Sequence, residues 1–139
     1  METCPLCYTE SFSPEIEGPK GRLLHFCNNC KLVFEERINH PDWQEEKERY
    51  LEHENDIQQV QYVNHLNQAI KPALKYLKPD WRGLDFGCDP TSTLNKLIKQ
   101  EGYLCEFNDP IFFPEPPLEN FDFRFGTECF EHFFRPATE

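Results

Sequence analysis

Positive charge is scarce in this chain. Its 14 lysines and arginines face 25 aspartates and glutamates, a formal net charge of −11 over 139 residues. A chain of that sign repels phosphate backbones, and no Lys/Arg run offsets it, so sequence-independent nucleic-acid binding is not expected. Long apolar runs are missing too: none nears the roughly 20 residues that span a bilayer. The N-terminus has no basic start and no apolar stretch of the secretory kind. The expectation is a cytoplasmic chain with no membrane contact. Glycine is thin as well, six residues in all, and one loop below is short of it. Aromatic residues are not scarce: they make up 14% of the chain, including 13 Phe. With 38% hydrophobic residues, there is material for a core, unlike a disordered composition. The length suits one modest domain or two small ones.

Seven cysteines in a signal-free chain read as thiols or metal ligands before disulfides, and the odd count argues against a fully paired framework. Four of them form two pairs, "CPLC" at Cys4 and Cys7 and "CNNC" at Cys27 and Cys30. Two thiolates three positions apart on a tight knuckle can face one ion, and two knuckles supply the tetrahedral set of four sulfurs that zinc favours. The short apolar runs "RLLHFC" and "KLVFEE" and the turn-like "EGPKG" suggest a β-hairpin between and after the knuckles. So small a hairpin cannot fold on its core alone, and metal binding can supply its folding energy. Residues 1–40 are therefore expected to be a zinc ribbon with structural Zn2+ on Cys4, Cys7, Cys27 and Cys30. Iron or a redox pair is the alternative. A closed set of four cysteines leaves no position for substrate. His25 reads as an ordinary hairpin residue, and Cys88, Cys105 and Cys129 as structural, although a helix N-terminus beside Cys88 can lower a thiol pKa.

Residues 41–79 read as helical. Ile57, Val60, Val63, Leu66, Ile70, Leu74 and Leu77 recur at three- and four-residue intervals and share a face. Asn55 or Asp56 is placed to cap this helix, and Pro72 to kink or divide it. In residues 80–139 the period changes. "GLDFGC" is a strand candidate, "TSTLNKLIKQEG" a helix capped by Thr91 or Ser92 and stopped at Gly102, "YLCEF" a strand and "FDFRFG" another. Strand, helix, strand is the pattern of a parallel α/β sheet. In such sheets ligands bind at the carboxyl ends of the strands, which here means Asp85, Gly87 and the loop after them.

Five pieces in order, "CPLC…CNNCKLVF", "RYLEHEND…QYVNHL", "GLDFGC", "GYLCEFNDP" and "FDFRFGTECFEHFFRP", resemble a class I S-adenosylmethionine-dependent methyltransferase of a subgroup with an N-terminal zinc ribbon. The resemblance spans almost the whole chain. It implies a partial Rossmann-like methyltransferase sheet over 80–139, preceded by the ribbon and by a helical lead-in over 41–79. It implies S-adenosylmethionine as cofactor and a small-molecule methyl acceptor. Asp85 and Gly87 would border the methionine part, Cys88 would also belong to the cofactor site, Asp109 would reach the ribose hydroxyls, and Glu128 would line the wall near the methyl with Thr127 and Cys129. Tyr50, His53 and Asn55 would belong to the helical segment over the cofactor. The resemblance gives no catalytic residue, His132 being commonly structural in the family.

The chain departs from the family pattern twice. Asp89 and Thr91 stand where the family has glycines, adding a charge beside the cofactor's carboxylate and narrowing the loop. Only 13 residues follow "FDFRFG", so the last strands of a seven-stranded sheet are not in this sequence. The expectation is a chain shortened relative to the family, by artifice, by its gene, or with a partner chain completing it. "FDFRFG" would then be a half-solvated edge strand open to homo-oligomer contact. Two rivals follow: a catalytically inactive methyltransferase-like remnant, and a zinc-ribbon module for protein interaction.

Overall fold

A computed structural model describes residues 3–52, 55–115, 120–133 and 135–138. The chain divides into two units, residues 1–42 with 131–139, and residues 43–130. The helical segment and the parallel sheet thus share one unit.

In the first unit three short strands, β1 (Ile16–Glu17), β2 (Leu23–Phe26) and β3 (Val33–Glu35), form an antiparallel sheet in that order. Leu24 lies opposite Ile16 and Glu35, and His25 opposite Phe34. The expected hairpin is β2 and β3. "EGPKG" makes the turn before it, with Lys20 and Gly21 both left-handed at φ 61° and 74°. Little apolar surface is buried here: Ile16, Leu23 and Val33 stay exposed, while Cys4 and Cys27 are wholly enclosed. The sheet is organised around its cysteines more than around a hydrophobic core.

The second unit holds α1 (Trp43–Glu52), α2 (Val60–Leu74), β4 (Arg82–Phe86), α3 (Thr93–Gln100), β5 (Leu104–Asn108) and β6 (Phe123–Phe125). The three strands are all parallel, and β4 lies between β5 and β6. Burial follows position: β4 is buried along Gly83–Asp85, whereas β6 alternates half-buried Phe123 and Phe125 with exposed Arg124. That alternation fits a strand paired on one side. The core joins Leu66 and Ile70 of α2 to Leu94, Leu97 and Ile98 of α3 and to Cys105 of β5. Gly83 is needed where it stands, because a Cβ there would lie 2.2 Å from the Phe123 ring.

Four local expectations are corrected. The helical region divides between α1 and α2, not at Pro72, which sits inside α2 two residues before its end at Leu74. In the last turn the missing N–H of a proline costs little further helix. Neither Asn55 nor Asp56 caps α2. Gln59 occupies the cap position and makes no side-chain cap bond, while Asp56 Oδ1 accepts from the Gln58 amide at 2.9 Å. Val60, placed on the buried face by periodicity, is 70% exposed. Ser92 does precede α3, but in the left-handed region at φ 45° and without a side-chain cap bond. Asp85 Oδ2 accepts the first-turn amide of Asn95 instead, and Asp89 Oδ1 accepts the amides of Thr91 and Ser92 just before the helix.

Candidate metal centre and strand-end site

The two knuckles are built alike. In the first, the Cys4 amide donates to the Thr9 carbonyl at 2.9 Å and the Tyr8 amide to the Cys4 carbonyl at 2.9 Å. In the second, the Cys27 amide donates to Leu32 at 2.8 Å and the Lys31 amide to Cys27 at 3.0 Å. Each turn passes through a left-handed residue just after its second cysteine, Tyr8 at φ 59° and Lys31 at φ 69°. The Cys30 amide also donates to Cys27 Sγ at 3.4 Å, a bond that favours thiolate.

The four sulfurs lie within 4.8 Å of one another. Cys4 and Cys30 are 3.6 Å apart and Cys7 and Cys27 3.5 Å apart. A tetrahedron of sulfurs about 2.3 Å from its centre has edges of about 3.8 Å. A disulfide would need about 2.0 Å, and all four cysteines are free thiols. The cluster therefore fits a structural metal ion. Its thiols compete for charge when no cation is shared among them. Hydrogen bonds from the Asn29 side chain and the Thr9 backbone pull Cys7 down to about 6. Cys30 is pushed up to about 12: the opposing pull of the Leu32 backbone is outweighed by desolvation and by Cys27, Cys4 and Cys7.

At the carboxyl ends of the parallel strands the structure gathers most of the remaining candidate residues. Phe86 pairs with Asn108 in register. The Gly87 amide, one residue on, donates to the Asn108 carbonyl at 2.9 Å, and the Cys88 amide follows at 3.4 Å. Asp109 thus begins its loop beside the loop of Gly87. Gly87 is left-handed at φ 69°, and a Cβ on it would lie 2.8 Å from Cys129 Cβ. This close approach ties the β4 loop to the segment after β6, where Glu128 sits at φ 54°. Glu128 is exposed and bonds His65 Nε2 at 3.1 Å. Tyr50, on α1, packs edge-on against Phe112 with centroids 6.0 Å apart. His53 lies outside the described residues.

The carboxylates here are held by backbone amides. Asp85 is 1% exposed, and its Oδ2 accepts from the Asn95 amide at 3.1 Å, in the first turn of α3. Burial raises its pKa to about 7, the Asn95 bond opposing and the charges of Asp89 and Asp109 adding. Asp89 Oδ1 accepts from the amides of Thr91 at 2.8 Å and Ser92 at 3.1 Å and from the Thr91 hydroxyl at 2.8 Å. Asp109 Oδ1 accepts from the amides of Ile111 at 2.8 Å and Phe112 at 3.0 Å. Cys88 does not gain from the helix N-terminus. Burial, then Asp85, Asp109 and Asp89, hold its thiol protonated, well above the usual range. Asn55 serves through its carbonyl, which accepts from the Thr93 hydroxyl at 2.8 Å and lies 2.5 Å from Thr91 Oγ1, sharing that hydroxyl's single proton with Asp89 Oδ1.

Sequence reasoning missed Tyr62, Asn95 and Asn108. The Tyr62 hydroxyl donates to Asp89 Oδ2 at 2.8 Å. Asn95 bridges helix and sheet, its Nδ2 donating to the Cys105 carbonyl at 2.7 Å. Asn108 Nδ2 donates to the carbonyls of Phe113 at 2.7 Å and Glu115 at 3.1 Å, shaping the loop after β5. Tyr62 alone left a signal: it stands four and eight residues before Leu66 and Ile70, on the same helical stripe. Among the described residues no helix is long and apolar enough to cross a membrane. Comparison of the chain with protein-family models, with curated proteins and with solved structures returns no match.

Proposed function

We propose that this chain corresponds to the first part of a class I S-adenosylmethionine-dependent methyltransferase. In this reading a Rossmann-like sheet follows a structural zinc ribbon, and the enzyme works on a small-molecule acceptor in the cytoplasm. One observation carries the reading: the strand order β5-β4-β6, all parallel. The chain moves from β4 to one neighbour and then crosses to the other. In this reading the carboxyl end of β4 would be the switch point at which open α/β sheets hold ligands in a crevice. Gly87 and Asp109 would flank that crevice from adjacent strands.

When bound, S-adenosylmethionine supplies an electrophilic methyl on a sulfonium. The residues have complementary tasks. Asp109 carries the carboxylate for ribose hydroxyls, and Asp85, through its bond to the Asn95 amide, holds the start of α3 at the end of β4. Gly87 lets the backbone pass close to its neighbours. Glu128 and His65 stand at the exposed side, where an acceptor would approach. Zinc on Cys4, Cys7, Cys27 and Cys30 would hold the ribbon's fold and take no part in the reaction. Among the described residues β6 pairs with β4 on one side only, and its other edge would give a second copy a surface to pair with.

A second reading is favoured by Asp89. Both its oxygens are engaged, Oδ1 by the loop and Oδ2 by Tyr62. A loop closed on itself in this way suits a methyltransferase-like remnant that no longer binds cofactor. Calorimetry with S-adenosylhomocysteine separates the two. Binding at micromolar Kd, lost in Asp109→Ala, supports the enzyme. No binding to zinc-loaded, folded protein rejects it in favour of the remnant.

A further inference from the structure

A second set of ligand-type side chains lies on the antiparallel sheet and shares no residue with the four thiols. Glu15, His25 and Glu36 bring two carboxylates and an imidazole within 4.8 Å of one another. Glu15 immediately precedes β1, His25 is on β2, and Glu36 immediately follows β3. Register produces the meeting. Ile16 lies opposite Leu24, so Glu15 continues its row toward His25. His25 lies opposite Phe34, and Glu36, two residues on, projects from the same face as Phe34.

The imidazole is set in place by packing. Its ring centroid lies 5.8 Å from that of Phe12 and 5.5 Å from that of Phe34. The side chain of His25 is 12% exposed and that of Glu36 36%, with Nε2 and Oε1 3.1 Å apart. A fixed nitrogen flanked by adjustable, water-reaching carboxylates is the arrangement of an open metal site.

We propose that Glu15, His25 and Glu36 bind one divalent transition cation of the zinc, cobalt or nickel class. Two carboxylates balance its charge. The imidazole favours such cations over magnesium and calcium, which prefer all-oxygen shells. Bonds of about 2.0–2.2 Å to nitrogen and oxygen are within reach of small side-chain rotations from the spacing seen. Three protein ligands leave positions for water, which the four-thiolate site does not.

The test uses the full chain loaded with one zinc, titrated with further Zn2+ by calorimetry. The expected result is a second, weaker equivalent. His25→Phe, which keeps the ring packing, and Glu36→Gln should each weaken it by at least about tenfold. Thiolate-to-cobalt absorption of the cobalt-substituted protein, unchanged in both variants, shows that the first site is intact. If His25→Phe alters that spectrum, Glu36→Gln and Glu15→Gln decide, since neither residue is buried. No second equivalent in the wild type, or one undiminished in the variants, overturns the proposal.

Discussion

The Tyr62 hydroxyl donates to Asp89 Oδ2 at 2.8 Å, joining α2 to the β4–α3 loop across 27 positions of sequence. Burial and then Asp89 hold the phenol protonated far above its ordinary range. Tyr62→Phe removes the only proton in that contact and leaves a 5%-exposed carboxylate short of a donor. The expected loss is about 1.5–3 kcal/mol, read by urea unfolding. Asp89→Ala should cost more, because three loop donors lose their acceptor as well. The double variant should be less destabilised than the two losses added together, showing that the residues act as a pair.

Asp85 gives the parallel-sheet unit a pH dependence of unusual sign. Its folded pKa is about 7, against about 3.9 in an unfolded chain. The folded state therefore holds the proton more tightly. Stability from this group is full below about pH 4 and falls as pH rises through about 7, by a few kcal/mol at most. Thermal unfolding at about pH 5 and about pH 8 should show the decline. Asp85→Asn, which keeps an acceptor for the Asn95 amide, should flatten it. An unchanged slope in that variant would remove Asp85 as its source.

Gly87→Ala meets two obstacles at once, a left-handed backbone and a Cβ 2.8 Å from Cys129 Cβ. The backbone alone costs about 1–2 kcal/mol, and the clash adds to it. Cys129→Gly in the Gly87→Ala background should recover the clash and leave the backbone cost. A circular-dichroism melt of the three proteins checks the order. Equal melting of Gly87→Ala and the double variant would refute the contact.

If the four cysteines hold zinc, its removal should unfold the antiparallel sheet. Strong chelation, or Cys27→Ser at a wholly enclosed ligand, should abolish tight zinc and the dispersed amide signals of residues 3–36. Free energies on the order of 10 kcal/mol are at stake in such sites. A ribbon whose spectrum survives in Cys27→Ser without metal would show that the sheet holds itself together.

The parallel strands and the cysteine cluster were legible because each leaves a rigid trace. Period-two Phe residues mark β6, a strand-helix-strand sequence forces parallel pairing, and C-x2-C spacing forces a knuckle. The α2 stripe was legible in its middle, at Leu66 and Ile70, and failed at Val60, where the helix has only begun and its face has no partner. In the sequence Asp89 stands as an intruder in a glycine loop. Its side chain in fact supplies hydrogen bonds that the loop would otherwise take from water or ligand. Such a role depends on where Tyr62 arrives in space, and local sequence does not carry that. The same holds for Asn95, whose two partners come from β4 and β5.

Two close sulfur–sulfur approaches of the ribbon run between the knuckles, Cys4 to Cys30 at 3.6 Å and Cys7 to Cys27 at 3.5 Å. Oxidation of either pair in the metal-free protein would join opposite arms. The covalent staples formed would join the extreme N-terminus to the hairpin, with neither C-x2-C loop closed on itself. Once so locked, the arms could not reopen to admit a new ion until a thiol reductant released them.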